Sequence, residues 1–564
     1  MTGFSWIASC GLALVALAGC GGPAAPGSAP PSKGTAGVEQ VNRIVERYWD
    51  EHLPAENAIS PQYLADSLSV ERRYLSEILA VPRDALDVKS KLTYDIFRRQ
   101  REVIIEGFTY PSELLPIDPI DGMPQKLAAY AAELAARPST QAADYENWLK
   151  RIDDYVSWTV QAAVNMREGV RRGYTSPRAL IERILPLLER LGVDDSANVF
   201  YGPLQSLPSL LSLPDGKDSK DSDRAKLSRD MTNAVSRKLL PANRALHDFL
   251  QKEYLPRARI GLALSQLPLG SQWYAYRVRR ATSSALSPEE INRLGIAEVE
   301  RLPAPAARET IAAPAEGLLN AYRQLQSQIQ TALPTAFAET PKAEFDIRAA
   351  EWLPQPGVVL YYQRRGASGS PAAVLYVNTG KGARAAASIA GFLQQALPGH
   401  HFQSALQQER ADLPRFRRFG DEPAFTEGWG LYAASLGETL GVYTDESAKL
   451  EAASAQMRCA VAMVVDTSLQ AKGWTRAQAF DYLHAHLAID DLEAQLLIDS
   501  YVAEPGDALA CVGETRIRAL RTRAQQSLGA RFELRDFHAE ILKDGAMPLD
   551  ILETKMKAWM DTAK

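Results

Sequence analysis

Two adjacent imidazoles, His400 and His401, stand in a chain that has only seven histidines. A carboxylate follows on the apolar segment Phe425-Thr426-Glu427-Gly428-Trp429-Gly430-Leu431-Tyr432. Two imidazoles and one carboxylate from neighbouring helices are the usual ingredients of a catalytic zinc site, with the fourth position left for water. A plainer reading stands beside it. A His pair at a helix start often caps or packs, and a Glu on an apolar face is often paired. Sulfur is sparse. Of four cysteines, Cys10 and Cys20 lie near the N-terminus, and Cys459 and Cys511 in the body. The last two either form a disulfide or are two separate buried thiols, and no cysteine has metal-type spacing.

These residues need elements to hold them. The segment Pro398-Gly399-His400-His401-Phe402-Gln403 follows an apolar stretch, 385–396, that reads as a helix. Glu427, Leu431, Ala434 and Glu438 share a helix face. Before them, two β-rich runs, 358–362 and 373–377, flank a Gly- and Ser-rich turn at 366–371 and predict a hairpin. Elsewhere helical periodicity dominates from Val38 onward, as in Val41, Ile44, Val45 and Tyr48, and again in 97–108 and 145–166. Ser287-Pro288-Glu289-Glu290 and Thr475-Arg476-Ala477-Gln478 read as helix starts with returning side chains. The charged stretch 215–226 reads as a solvated loop. The fold class is therefore mainly α: a large multi-helix body with a small β-hairpin or sheet near the centre of the chain. Its 564 residues are too many for one simple core, so residues 38–564 should form two helical subdomains around a cleft.

The N-terminus reads as an address. Residues 7–18 are apolar but too few to span a bilayer comfortably, and they end in Leu17-Ala18-Gly19-Cys20. Small residues before a cysteine look like a bacterial lipobox, in which the cysteine is lipidated. This makes residues 1–19 a lipoprotein signal peptide and Cys20 the membrane anchor. An ordinary signal peptide cut near Gly19 is the alternative, and no Lys or Arg precedes the apolar run. Residues 20–37, rich in Gly, Ala, Pro and Ser, should form a flexible tether. Gly21 is not Asp, so nothing argues for inner-membrane retention. The expected location is the outer membrane, facing the periplasm. The net charge of −5 gives no basic field for nucleic acid.

The ordered motifs carry a resemblance. They include Tyr376-Val377-Asn378, Pro398-Gly399-His400-His401-Phe402-Gln403 and Glu427-Gly428-Trp429-Gly430-Leu431-Tyr432. Val464-Val465-Asp466-Thr467, Lys472-Gly473-Trp474, Pro505-Gly506 and Arg535-Asp536-Phe537-His538 follow. Together they resemble the bacterial domain of unknown function 885 family over 38–564. That family looks related to helical zinc peptidases of the gluzincin type. The resemblance implies a His-Glu-x-x-Pro-Gly-His-His pattern, and here this chain departs from it. The implied ligand is Gln394 and the implied general base is Gln395. An amide cannot take a proton from metal-bound water, and it is a poor zinc ligand beside imidazole. Ala462, Gln470, Asn292, Asp507, Cys511 and Val512 likewise replace polar family residues expected to line the cleft. By the same resemblance, the segments of Cys459 and Cys511 border that cleft, where a bridge between them could form. Two functions stay open. One is a catalytically degenerate metallopeptidase-like lipoprotein that binds a peptide or an envelope partner. The other is an active zinc-dependent hydrolase with a relocated site of His400, His401 and Glu427.

Overall fold

The periodic residues Val41, Ile44 and Val45 are buried on one face of the first helix, Lys33–Asp50. The structure, a computed structural model, describes residues 33–51, 57–213, 217–304, 315–350, 359–367, 372–379, 388–444 and 446–563. The signal segment, Cys20 and the tether up to residue 32 lie outside them. The first helix corrects the tether boundary, because residues 33–37 are its opening turn. Gly37 lies close to the body: a Cβ there would stand 3.1 Å from Leu86 Cδ2.

Helices make up most of the described chain, and their apolar faces build two separate cores. One lies within residues 117–254. Its spine is the helix Ala142–Arg172, on which Tyr145, Trp148, Ile152 and Tyr155 recur every three or four residues and are fully buried. The other gathers the first helices and nearly everything after Leu264. Its axis is the helix Glu446–Ala471, where Val461, Val465, Asp466, Leu469 and Gln470 are all inaccessible. This axis lies close against the helix Pro288–Arg301. A Cβ on Gly295 would stand 2.8 Å from Met463 Cβ, so glycine sets the approach.

The sheet has three strands: β1 (Asp346–Ala350), β2 (Leu360–Gln363) and β3 (Val374–Asn378), in the order β1-β3-β2. The expected hairpin pairs are present: β2 runs antiparallel to β3, with Tyr361 opposite Tyr376. Its turn at 368–371 lies outside the described residues. Leu375 and Val377 are fully buried on the inner face. β1, parallel to β3, went unread in the sequence, because in Asp-Ile-Arg-Ala-Ala only Ile347 is buried. Both helix starts hold, as Ser287 and Thr475 each close a capping box. The charged loop does not, since from Asp221 the chain is already the helix Asp221–Asn233, with Asp221 and Asp223 in its first turn. Acidic side chains there complement the N-terminal end of the helix dipole. Among the described residues, no helix is long and apolar enough to cross a membrane.

Candidate functional site

The motif is built on three short helices. The first, Ile389–Gln395, starts at Ser388, whose hydroxyl accepts the Gly391 N–H at 2.8 Å. The stretch 385–387 of its expected start lies outside the described residues. The chain then turns sharply into the second helix, His400–Glu409. Gly399 makes the turn possible: a Cβ there would fall 1.9 Å from the Gln394 carbonyl oxygen. The third helix, Pro423–Ala434, carries Glu427. Trp429 on it donates from Nε1 to the Pro398 carbonyl at 2.8 Å, pinning the turn to this helix. Glu438 does not continue its face, because the helix ends at Ala434 and Glu438 pairs with Lys449 at 2.8 Å.

His400 is buried and stands over Gly430, where a Cβ would lie 2.4 Å from its Nε2. That nitrogen has no hydrogen-bond partner and is 3.8 Å from Glu427 Oε2. His401 points to different partners. Its Nδ1 is 3.0 Å from the Tyr362 hydroxyl, and its Nε2 is 3.0 Å from the Ala343 carbonyl. A carbonyl only accepts, so Nε2 carries the proton and Nδ1 accepts from Tyr362. Burial lowers the His401 pKa to about 4, opposed by the Ala343 bond, and the ring is neutral. Gln394 is buried, with its Cγ 3.2 Å from the same space above Gly430. Gln395 Oε1 accepts the Tyr362 N–H at 3.3 Å, tying the first helix to β2.

The structure thus brings His400, Glu427 and Gln394 together and commits His401 and Gln395 to β2 and its surroundings. Zinc, the group the resemblance implies, does not fit this set. One free imidazole nitrogen and one carboxylate fall short of three protein ligands, and His401 has no nitrogen to give. Among the described residues, no three His, Cys, Asp or Glu side chains are grouped to hold a metal ion. Two surface pockets, of about 280 and 290 Å³, lie elsewhere, against Arg47 and Glu77 and against Arg531 and Trp559.

The expected cleft residues prove to be mostly interior. Gln470 is fully buried and bridges two backbones: its Oε1 accepts the Leu264 N–H at 2.6 Å, and its Nε2 donates to the Tyr501 carbonyl at 2.8 Å. Asn292 donates to Thr467 Oγ1 at 2.8 Å and accepts from Lys472 Nζ at 2.6 Å. Ala462 and Val512 are packed in the core. Only Asp507 and Cys511 keep partial exposure. Cys511 is joined to Cys459, with Cα atoms 5.8 Å apart.

One polar cluster was not singled out as a site from sequence. Asp466, fully buried, accepts from the Tyr274 hydroxyl at 2.5 Å and from the Gly506 N–H at 2.9 Å. Arg277 beside it pairs with Glu504 and Asp507. Burial pushes the Asp466 pKa up to about 7, against the pull of Tyr274, Gly506 and Arg277. Tyr362 was likewise unmarked as a partner of His401. Only its place on the inner face of a predicted strand could have suggested it.

A mainly helical body with a three-stranded sheet is the class these elements define. The sequence matches the profile of the family described as bacterial protein of unknown function (DUF885), over residues 46–312 and 304–556, and the chain belongs to that family. Two solved structures share its fold. A protein described as a lipoprotein from Colwellia psychrerythraea is 21% identical, with a TM-score of 0.79 over 94% of this chain and 100% of that one. A protein described as a lipoprotein of unknown function from Shewanella oneidensis is 12% identical, with a TM-score of 0.65 and the same coverage. No functionally curated protein matches the chain.

Proposed function

We propose that this DUF885 protein is a lipid-anchored envelope protein that has lost metallopeptidase-type catalysis and acts by binding a peptide or an envelope partner. The observation that carries the reading is the double commitment of His401. With both its nitrogens bonded to Tyr362 and Ala343, and with amides at 394 and 395, the motif lacks a third ligand and a general base. The lipobox at Cys20 and the lipoprotein description of both fold relatives support the envelope location, and Gly21 after the cysteine, in place of Asp, favours the outer membrane, facing the periplasm. The test is metal analysis of the purified body together with a peptide-library digest. Far less than one zinc per chain and no chelator-sensitive cleavage are expected. Stoichiometric, tightly held zinc with hydrolysis that a chelator abolishes would overturn the proposal. One observation favours the second reading, an active hydrolase with a relocated site: the unpartnered His400 Nε2 beside Glu427. The same assay separates the two.

A further inference from the structure

The segment 504–513 is held at three successive points. At the first, Arg277 Nε donates to the Pro505 carbonyl at 2.5 Å, and Gly506 places its N–H against Asp466. Gly506 has a φ of 87°, a left-handed backbone that favours glycine, and a Cβ there would lie 3.4 Å from the Arg277 backbone. At the second, Cys511 is joined to Cys459 on the axial helix Glu446–Ala471. At the third, Gly513 meets the helix that carries Glu427. A Cβ on Gly513 would fall 1.8 Å from the Ala424 carbonyl oxygen, and one on Gly428 would fall 2.3 Å from the Gly513 carbonyl carbon. Two glycines bring these backbones into direct contact, one residue from Glu427 and two residues from Cys511.

We propose that the Cys459–Cys511 bridge is a redox-controlled clamp on the Glu427 helix. Oxidised, it seats Gly513 against Gly428 and holds Glu427 beside His400. Reduced, it releases segment 504–513 and with it the Pro423–Ala434 helix. The clamp goes beyond the binding reading above and does not depend on what the site binds.

The chemistry is thiol–disulfide exchange with a dithiol. Cys511 is partly exposed, whereas Cys459 is 9% exposed, so the incoming thiolate attacks the Cys511 sulfur. The sulfur–sulfur bond breaks, Cys459 leaves as the thiolate, and a mixed disulfide links Cys511 to the donor. The second donor thiolate then attacks the donor's own sulfur and expels Cys511. Two electrons and two protons pass to the protein, and the donor ends as its disulfide.

Hydrogen exchange read by mass spectrometry tests the clamp on the full body, oxidised and after treatment with dithiothreitol. A Cys459→Ala/Cys511→Val variant serves as a second, permanently open form. Amides in 424–430 and 506–515 should exchange at least about tenfold faster in both open forms, while 145–166 keeps its protection, since local opening spares cooperative units elsewhere. Four results would each overturn the clamp. These are unchanged exchange at 424–430 after complete reduction, equal acceleration at 145–166, a bridge that dithiothreitol cannot reduce in the folded protein, and two free thiols in the unreduced, denatured chain. A double variant that fails to fold leaves the decision to the reduced wild-type protein.

Discussion

At His401 one imidazole accepts from the Tyr362 hydroxyl and donates to the Ala343 carbonyl, and each bond fixes the direction of the other. Protonation would turn the accepting nitrogen into a donor and place a charge in a buried site. The folded pKa of about 4 lies below the ordinary 6.5, so the unfolded chain binds the proton first as pH falls. The resulting stability is present above pH 6.5 and lost as pH falls towards 4. Asp466 has the opposite sign. Its pKa is raised to about 7, so its contribution is present below the ordinary 3.8 and lost as pH rises through 7. Because the two oppose, the wild-type profile alone cannot separate them, and a variant can. Urea unfolding of His401→Phe and wild type at pH 7.5 and 4.5 should show the variant losing about 2–3 kcal/mol less on acidification. Parallel losses would mean that His401 is not held neutral. The histidines were visible in the sequence and Glu427 was grouped with them, but the partners of His401 were not visible. Nothing in 399–403 shows that one ring faces Glu427 and its neighbour faces a strand some forty residues back.

Between helices, the spacing around the motif is set by glycine. Gly430 leaves the room that the His400 ring fills. Gly430→Ala should destabilise the body by about 2 kcal/mol through overpacking, and His400→Ala should relieve much of that cost. A double-mutant cycle measures the coupling, and strict additivity would show that the ring and the glycine do not share the space. Gly428→Ala is expected to be worse, at about 3 kcal/mol or more, because the clash is with the Gly513 backbone, which cannot rotate away. Chemical denaturation comparing the two alanine variants ranks them. At this scale the sequence was informative wherever one local rule sufficed. The capping boxes at Ser287 and Thr475 and the β-rich runs of β2 and β3 were all readable. β1 was not, because a parallel partner is specified by distant chain and its own residues alternate weakly. The helix at Asp221 was hidden by its charge, which suits a solvated first turn as well as a loop.

Across the molecule, two cores divide the work. Length alone suggested two subdomains, but not that one core would gather within 117–254 while the chain on either side, joined by Tyr174 and Leu180, builds the other. Helical periodicity is the same in both and carries no label of destination. The Cys459–Cys511 bridge lies in the second core and closes a separation of 52 residues, a loop worth about 4 kcal/mol in the chain-entropy model. Calorimetry with and without reductant should therefore show one transition moving to lower temperature while the transition of 117–254 stays in place. A single transition that shifts as a whole would argue that the cores unfold as one unit. The anchor belongs to this scale too. Cys20→Ala should move the protein from the membrane pellet to the soluble fraction, and a variant that still pellets in high salt would remove the lipid anchor from the account.

The crossing of Gly428 and Gly513 has a mechanical meaning. Where side chains separate two helices, rotamer changes absorb small displacements, as springs would. Here backbone bears directly on backbone, and that compliance is missing. A displacement at Gly513 therefore passes directly, as through a rigid lever, to the backbone of the helix Pro423–Ala434, one residue from Glu427.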